Sequence, residues 1–357
     1  MSTDETTFLT GFPGFIAGRL LRRLAVEGGR YLLLVQPAFV ERARQELDVI
    51  AEAANISRSD FEILQGDITQ PDLGMSATDF ARARAETTSI FHLAALYDLA
   101  VAREIGLRVN VEGTRNVNQF AQSLSHLRHY HYVSTCYVAG KRTGIIFENE
   151  LQHSAGFRNY YEETKYLAEI EVDKLKSELP ITIHRPSVVC GDSVTGETVK
   201  YDGVYYLIRY LLKWPALLSR FNIGNSEVSL NLVPVDFVVN AMAALAREPC
   251  AIGKTVQIAD PNPLTTRQLF NEIARTLAGR KAIATLPSSV VESSLMMSVS
   301  PRLSGLPHVA VPYFFLKQTY DTAQATELLS PLGVSCPSFQ SYVGAIVDYA
   351  ARHPEIK

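Results

Sequence analysis

Cysteine is scarce in this sequence of 357 residues: Cys136, Cys190, Cys250 and Cys336 stand far apart, with no C-x-x-C pair among them. That spacing offers neither a zinc knuckle nor a disulfide framework. The opening MSTDETTF lacks the basic stretch and apolar run of a secretory signal. A cytoplasmic location with reduced thiols is the expectation, and the sequon Asn55-Ile56-Ser57 then loses its meaning. Long apolar runs are missing too. The most apolar segment, Tyr205 to Leu218, is broken by Arg209, Lys213 and Pro215, short of the roughly 18 uninterrupted residues of a membrane span. Excess positive charge is also lacking: the formal net charge is -3 and the pI near 6.3, so a nucleic-acid partner is not expected.

What is present is an ordinary globular composition, 47% hydrophobic and 20% charged, with 21 Gly and 17 Pro dispersed along the chain. Burial on that scale can offset chain entropy. Short apolar runs, TTFLT, YLLLVQ, FEILQ, SIFHLAA, HYHYVST and ITIHRPSVV, alternate with longer helical patterns. This rhythm predicts βαβ units and hence an α/β fold with a Rossmann-type, doubly wound parallel sheet. After about Pro186 the rhythm loosens, and Tyr201 to Leu218 is aromatic-rich with no clear strand partner. A smaller, mainly helical substrate-binding lobe is expected there. VPVDFVVNAMAALA reads as a helix returning to the first domain and TVQIA as a further strand. The expected division is a dinucleotide domain over residues 1–188, joined by segments near 228–260, and a second lobe over 189–227 and 261–357.

Thr10-Gly11-Phe12-Pro13-Gly14-Phe15-Ile16-Ala17 follows a strand and opens a helix in which Ile16, Leu20 and Leu24 recur on one face. Glycine at the first position permits a tight turn, and at the second a close approach to pyrophosphate. The helix N-terminus then offers unpaired N–H groups. Alone the motif is weak, because such turns also join strands to helices with no ligand. Asp67, after the third strand with Ile68 beside it, can accept from an adenine amino group or simply cap a helix. Ala94 and Ala95 end the fourth strand with small side chains where a cofactor would pass.

The second strand ends in Gln36 rather than an acid, and Arg42 and Arg44 follow on the next helix. This favours NADP over NAD, since an acid there would repel a 2′-phosphate. A solvated helix face explains the arginines equally well. Gly253-Lys254-Thr255 resembles the end of a phosphate-binding loop, but Glu248 stands where that loop needs its first glycine.

Tyr161 and Lys165 are four apart in a helical pattern and so share a face. Reduction of a carbonyl needs a proton donor, and a nearby ammonium should lower the phenol pKa from about 10. Tyr160 competes for the role but points about 140° from Lys165. Ser134 and Thr135 close the fifth strand at the edge where such sheets place ligands. His126, His129 and His131 invite a metal reading, yet no carboxylate or cysteine accompanies them, and no metal is expected.

Together TGFPGFIA, GDI, HLAA, NVEGTRNV, VSTCYVAG, YEETK and HRPSVVCGD, in this order from Thr7 to about Asp260, resemble the extended short-chain dehydrogenase/reductase family. RPSVVCGDSVTGE and NLVPVDFVV are most similar to its fatty acyl-CoA reductase and thioester-reductase branch. The resemblance implies Thr135 as the catalytic hydroxyl with Ser134 beside it, Tyr161 as acid/base and Lys165 as its partner. It also implies Pro186 and Val189 lining the nicotinamide pocket and Asn110 bracing the active-site helix. An NAD(P)H-dependent reductase of an acyl thioester or long-chain aldehyde or ketone follows, with a homodimer as an option. Two alternatives stay open: a nucleotide-sugar epimerase on the same scaffold and a non-catalytic NAD(P)-binding sensor. Cys136-Tyr137 after Thr135 argues against a dehydratase, which places an acidic pair there.

Overall fold

The computed structural model describes residues 5–297 and 306–356. The remaining parts of the expected second lobe, residues 298–305 and 357, lie outside the described residues. Seven strands form one sheet: β1 (Thr6–Thr10), β2 (Arg30–Val35), β3 (Phe61–Gln65), β4 (Ser89–His92), β5 (His129–Val133), β6 (Ile181–Pro186) and β7 (Thr255–Ile258). Their order is β7-β6-β5-β4-β1-β2-β3, and every pairing is parallel. The chain winds outward from β1 in one direction through β2 and β3, then returns to lay β4 on the other side. That reversal opens a crevice beyond the carboxyl ends of β1 and β4, where such sheets take their ligands.

Helices cover both faces, as a sheet of continuous apolar strands requires. On one face lie α1 (Phe15–Ala25), α2 (Val40–Ala54) and, from much later in the chain, α7 (Val235–Leu245). Leu20, Leu24, Leu47, Val238 and Met242 share one core with Leu9 and Leu33 of the sheet. On the other face α3 (Ala77–Glu86), α4 (Gly113–Gln122) and α5 (Tyr160–Asp173) contribute Ala83, Val117, Phe120, Ala168 and Val172 to a second core with Phe8 and Ile90. The apolar run in α7 is thus explained by its place against α1.

A third core lies beyond the sheet. Helices α6 (Val204–Lys213), α8 (Thr266–Ala278) and α9 (Phe339–Arg352) meet through Ile208, Leu211, Phe270, Ile273 and Ile346. Helix α8 starts on a capping box in which Thr265 and Gln268 satisfy each other's backbone N–H, and it stops at Gly279 in the left-handed conformation. No described helix is long and apolar enough to cross a membrane.

Candidate active site

The crevice is built from the end of β1. There Gly11 has φ +93°, and a Cβ on it would lie 2.8 Å from the Ala94 backbone nitrogen. A Cβ on Gly14 would lie 2.6 Å from the Gly11 carbonyl oxygen. Both positions therefore demand glycine, and together they hold the backbone in a cradle that a side chain would fill. Gly14 caps α1 with no side-chain hydrogen bond, and the first turn of α1 carries no acid. Its N–H groups and positive dipole end are available to an anion. These features fit a dinucleotide pyrophosphate. Phe12 and Pro13 are buried in the turn, with the Phe12 ring in the core, so Phe12 offers a ligand its backbone only. Phe15 and Ile16 are half-buried at the start of α1.

A chain of buried polar groups ties β1 to β4 beneath this turn. Thr114 donates to the Asn110 carbonyl at 2.6 Å, so it must accept from His92 Nε2, 3.1 Å away. Burial, helped by the Lys165 charge, lowers the His92 pKa to about 3. The ring is neutral, and Nδ1 accepts from the Thr10 hydroxyl at 2.7 Å. That hydroxyl accepts in turn from the Ala94 N–H at 3.1 Å. Ala94 is half-buried and Ala95 exposed at the crevice.

At the expected adenosine end, Gln36 Nε2 donates to Asp67 Oδ2 at 3.1 Å, and Asp67 Oδ1 accepts from the Thr69 N–H at 2.8 Å. Asp67 also lines a cavity of about 470 Å³ with Pro37, Gly66, Ser76 and Asp79. Ile68 is buried in the second core against Gly113, so its side chain is turned away from this cavity. Arg42 is exposed on α2.

The strands β5 and β6 deliver the rest. Val133 pairs with His184, and two residues further along each strand stand Thr135 and Pro186. Val189 lies just beyond, half-buried in the short strand Val188–Cys190, which pairs with Leu232–Pro234. Helix α5 begins at Asn159, whose side chain accepts from the Glu162 N–H at 3.0 Å. Tyr160 is exposed and Tyr161 buried. The Thr135 hydroxyl stands beside the buried Tyr161 hydroxyl, and Thr135 Oγ1 accepts from the Tyr137 N–H at 3.2 Å. The Tyr97 ring meets that of Tyr161 edge-on at 5.1 Å.

Two expectations need correction. Ser134 is not brought to Tyr161. Ser134 donates to Glu169, about two turns further along α5, while Thr135 is the hydroxyl that stands beside Tyr161. The expected lowering of the Tyr161 pKa by Lys165 is not seen either. Burial pushes the phenol above its ordinary range, and the Thr135 hydroxyl offsets only part of that. The Lys165 ammonium is engaged instead with the Val133 carbonyl at 2.8 Å and the Tyr132 hydroxyl at 3.0 Å. Its own pKa falls to about 8 through burial, with Glu169 opposing.

Several residues at the site escape sequence reasoning. Glu169 and Arg185 form a fully buried ion pair, with Arg185 Nε 2.9 Å from Glu169 Oε1. Arg185 also donates to the Glu148 and Glu150 carbonyls. The signal was there: an arginine inside the apolar strand ITIHRP, and a glutamate four residues beyond Lys165 on the same helix face. Tyr313, far along the chain, donates to Glu162 at 2.5 Å and packs against Tyr137 with the rings tilted 53° and their centroids 4.6 Å apart. The histidines are structural neighbours. His131 Nδ1 lies 3.1 Å from His184 Nε2, His129 bonds Thr182, and burial holds all three rings neutral. Among the described residues no group of three or more His, Cys, Asp or Glu is arranged to hold a metal ion.

Comparison with known proteins bears on this geometry. The sequence pattern of an NAD-binding family described as male sterility protein matches residues 9–242. Fatty acyl-CoA reductase wat of Drosophila melanogaster is 25% identical over 279 residues, covering 68% of this chain and 54% of that protein. A non-canonical nonribosomal peptide synthetase, cpsA of Aspergillus campestris, is 26% identical over 287 residues, covering 74% of this chain and 26% of the synthetase. The chain thus spans about a quarter to a half of the length of these two relatives. Among solved structures, the terminal R domain of the myxalamid PKS-NRPS pathway superposes with a TM-score of 0.82 at 24% identity, covering 100% of this chain and 92% of that one. UDP-glucuronic acid 4-epimerase from Bacillus cereus, in complex with NAD, superposes at 0.65 with 18% identity, covering 99% and 98%. At these identities the structures establish the fold. The matched pattern takes in the glycine turn, Thr135, Tyr161 and Lys165 and covers more than half of the chain, and so the chain belongs to the male sterility protein family of NAD-binding proteins.

Proposed function

We propose that this protein is an NADPH-preferring reductase of acyl thioesters or long-chain carbonyls, with Tyr161 as proton donor, Thr135 as the hydroxyl that positions the substrate oxygen and Lys165 as the supporting cation. The observation that carries the reading is the buried Thr135–Tyr161 hydroxyl pair at the carboxyl edge of the sheet, beside the Gly11–Gly14 cradle. Residues 1–188 with 228–260 would hold the dinucleotide, and 189–227 with 261–357 would shape the substrate side. Gly11, Gly14 and the backbone of Phe12, Pro13, Phe15 and Ile16 would take the pyrophosphate, Asp67 with the backbone of Ile68 the adenine, Gln36 and Arg42 the ribose, and Ala94, Ala95, Pro186 and Val189 the nicotinamide half. Bound there, the reduced nicotinamide supplies the hydride.

The protein's own contribution is the proton and the charge. A carbonyl oxygen between the two hydroxyls accepts both hydrogen bonds, and as it becomes negative the Tyr161 proton moves onto it. Because burial raises the Tyr161 pKa, the phenol is fully protonated at neutral pH, as an acid in the reductive direction must be. Thr135 Oγ1 accepts from the Tyr137 N–H, and its single proton, directed at Tyr161 before substrate binds, turns to the substrate oxygen when that oxygen arrives between the two hydroxyls. The Lys165 ammonium, one helical turn from Tyr161 and held by the Tyr132 hydroxyl and the Val133 carbonyl, would support the developing phenolate by turning toward it as charge builds. The preference for an acyl thioester is supported by the similarity to the fly protein, which is named a fatty acyl-CoA reductase. The preference for NADPH rests on the missing acid after β2.

The test is oxidation of NADPH and NADH against a panel of acyl-CoA thioesters, long-chain aldehydes, ketones and UDP-sugars, with Tyr161→Phe as control. Thioester- or aldehyde-dependent NADPH consumption that disappears in the variant is the expected result. Conversion of a UDP-sugar with no net cofactor consumption would assign the chain to the epimerases that share its fold.

A further inference from the structure

Two segments of the third core are unusual in charge. Residues 203–226 contain Arg209, Lys213 and Arg220, and residues 273–291 contain Arg275, Arg280 and Lys281; neither segment has a single Asp or Glu, although the chain as a whole is acidic. The fold brings the two together. Phe221–Asn222 pairs in parallel with Ala284–Thr285, the Ile283 N–H donates to the Arg220 carbonyl at 2.9 Å, and the Leu286 N–H donates to the Asn222 carbonyl at 2.8 Å. The Arg280 guanidinium reaches the Ala216 carbonyl, closing the second segment onto the turn after Trp214.

Apolar side chains stand out of this basic surface. Trp214, the one tryptophan in the chain, is 68% exposed and Ile283 75% exposed; Leu217, Phe221, Leu286 and Val290 are exposed around them. Large apolar side chains held in water on adjoining turns, rimmed by cations, are costly unless something covers them. The chemistry of the cover follows from charge and shape of contact. Cations interspersed with Trp, Leu, Phe and Ile match the boundary of a bilayer, where indole and aliphatic groups enter the acyl layer and Lys and Arg reach anionic headgroups.

We propose that this face of the second lobe, centred on Trp214, Phe221 and Ile283 and rimmed by Arg220, Arg280 and Lys281, docks on an anionic lipid surface. The docking is peripheral and reversible, and it would place the second lobe at the phase in which long-chain acyl compounds concentrate. It does not depend on the catalytic reading above.

The single tryptophan makes the test direct. Emission of the full chain is recorded with vesicles of phosphatidylcholine alone and with vesicles containing about 30% phosphatidylserine, alongside vesicle flotation. A blue shift and co-flotation with the anionic vesicles only, weakening as salt is raised, is the expected outcome. Reversing two charges in Arg220→Glu/Lys281→Glu, which leaves Trp214 in place, should lower partitioning roughly tenfold or more. Circular dichroism reports whether that variant is folded, and the salt dependence of the unaltered chain decides the matter if it is not. Emission unmoved by anionic vesicles, or equal binding to neutral ones, would overturn the proposal. So would a dimer in solution whose Trp214 is already shielded, since a second copy would then be the cover.

Discussion

The region under the crevice and the core of the second lobe are both buried, but they are buried differently. Under the crevice the interior is polar and directional: Thr10, His92, Thr114, Asn110, Thr164 and Lys165 each point at a partner, and Glu169 gathers Ser134 and Arg185. In the second lobe Ile208, Leu211, Phe270, Ile273, Val343 and Ile346 fill space without directed bonds. Hydrogen bonds fix angles, whereas apolar packing fixes volume. Proton donation to a carbonyl oxygen needs a fixed angle; accommodating an acyl chain needs mainly room. The difference suggests that substitutions in the first region act through geometry and those in the second through stability alone.

The largest expected effect tests the first half of that contrast. Tyr161→Phe removes the phenol hydroxyl and leaves the buried ring, so turnover should fall by roughly 10²- to 10⁴-fold while NADPH binding, followed by cofactor fluorescence, is retained. Loss of binding together with turnover would mean that the ring shapes the crevice rather than supplying a proton. Next in size is Glu169→Ala. It strands the Arg185 guanidinium in a fully buried position, which costs about 3–5 kcal/mol and should appear as a lower denaturant midpoint. Because Glu169 also holds Ser134, beside Thr135, turnover per folded molecule should fall as well. Full turnover in the folded fraction would show that the ion pair is a packing device with no hold on the site.

How much of this could be seen in the sequence depends on the range of the constraint. The Gly11–Gly14 turn was legible because a backbone approaching Ala94 admits no Cβ, and that demand is written in adjacent residues. Tyr161 and Lys165 were legible because helical spacing places them on one face. The choice between Ser134 and Thr135 was not: which of the two stands beside Tyr161 depends on how α5 packs against the end of β5. Glu169 and Arg185 are 16 residues apart, on a helix and a strand, and only the packing of α5 on the sheet pairs them. Tyr313 reaches Glu162 across 151 residues, a separation at which periodicity carries no information. The direction of the Tyr161 shift was misjudged for a related reason: spacing reveals a neighbouring charge but not the depth of burial that outweighs it.

A smaller effect comes from Lys165, whose pKa drops from its ordinary value near 10.5 to about 8 on folding. Between those values the unfolded chain binds more protons at this residue, so stability from this group grows with pH. It is fully present above about 10.5 and is lost as pH falls through about 8, with a slope of at most about 1.4 kcal/mol per pH unit. Tyrosine ionisation acts in the opposite sense in the alkaline range, so the quantity to follow is the difference between the unaltered chain and Lys165→Met. That difference, from urea midpoints at several pH values, should shift in favour of the unaltered chain as pH rises from about 8. A difference independent of pH would mean that Lys165 keeps its ordinary pKa in the folded protein, and that the polar region holds its charge at no cost.

The smallest effect bears on the second lobe and is the sharpest test of the contrast. Ile273 is fully buried among apolar neighbours on α8, and Ile273→Val removes one methyl group without touching a hydrogen bond. It should cost about 0.5–1.5 kcal/mol, visible in the denaturant midpoint. If the second lobe contributes volume rather than angle, kcat per folded molecule for a short-chain substrate stays unchanged. A fall in kcat for the short substrate would break the comparison. It would show that packing around α8 is transmitted to the Thr135–Tyr161 pair, by way of the segment bearing Tyr313, whose hydroxyl already bonds Glu162 next to Tyr161. Tyr313→Phe in the Ile273→Val background then locates the route, since it should abolish that dependence if Tyr313 carries it.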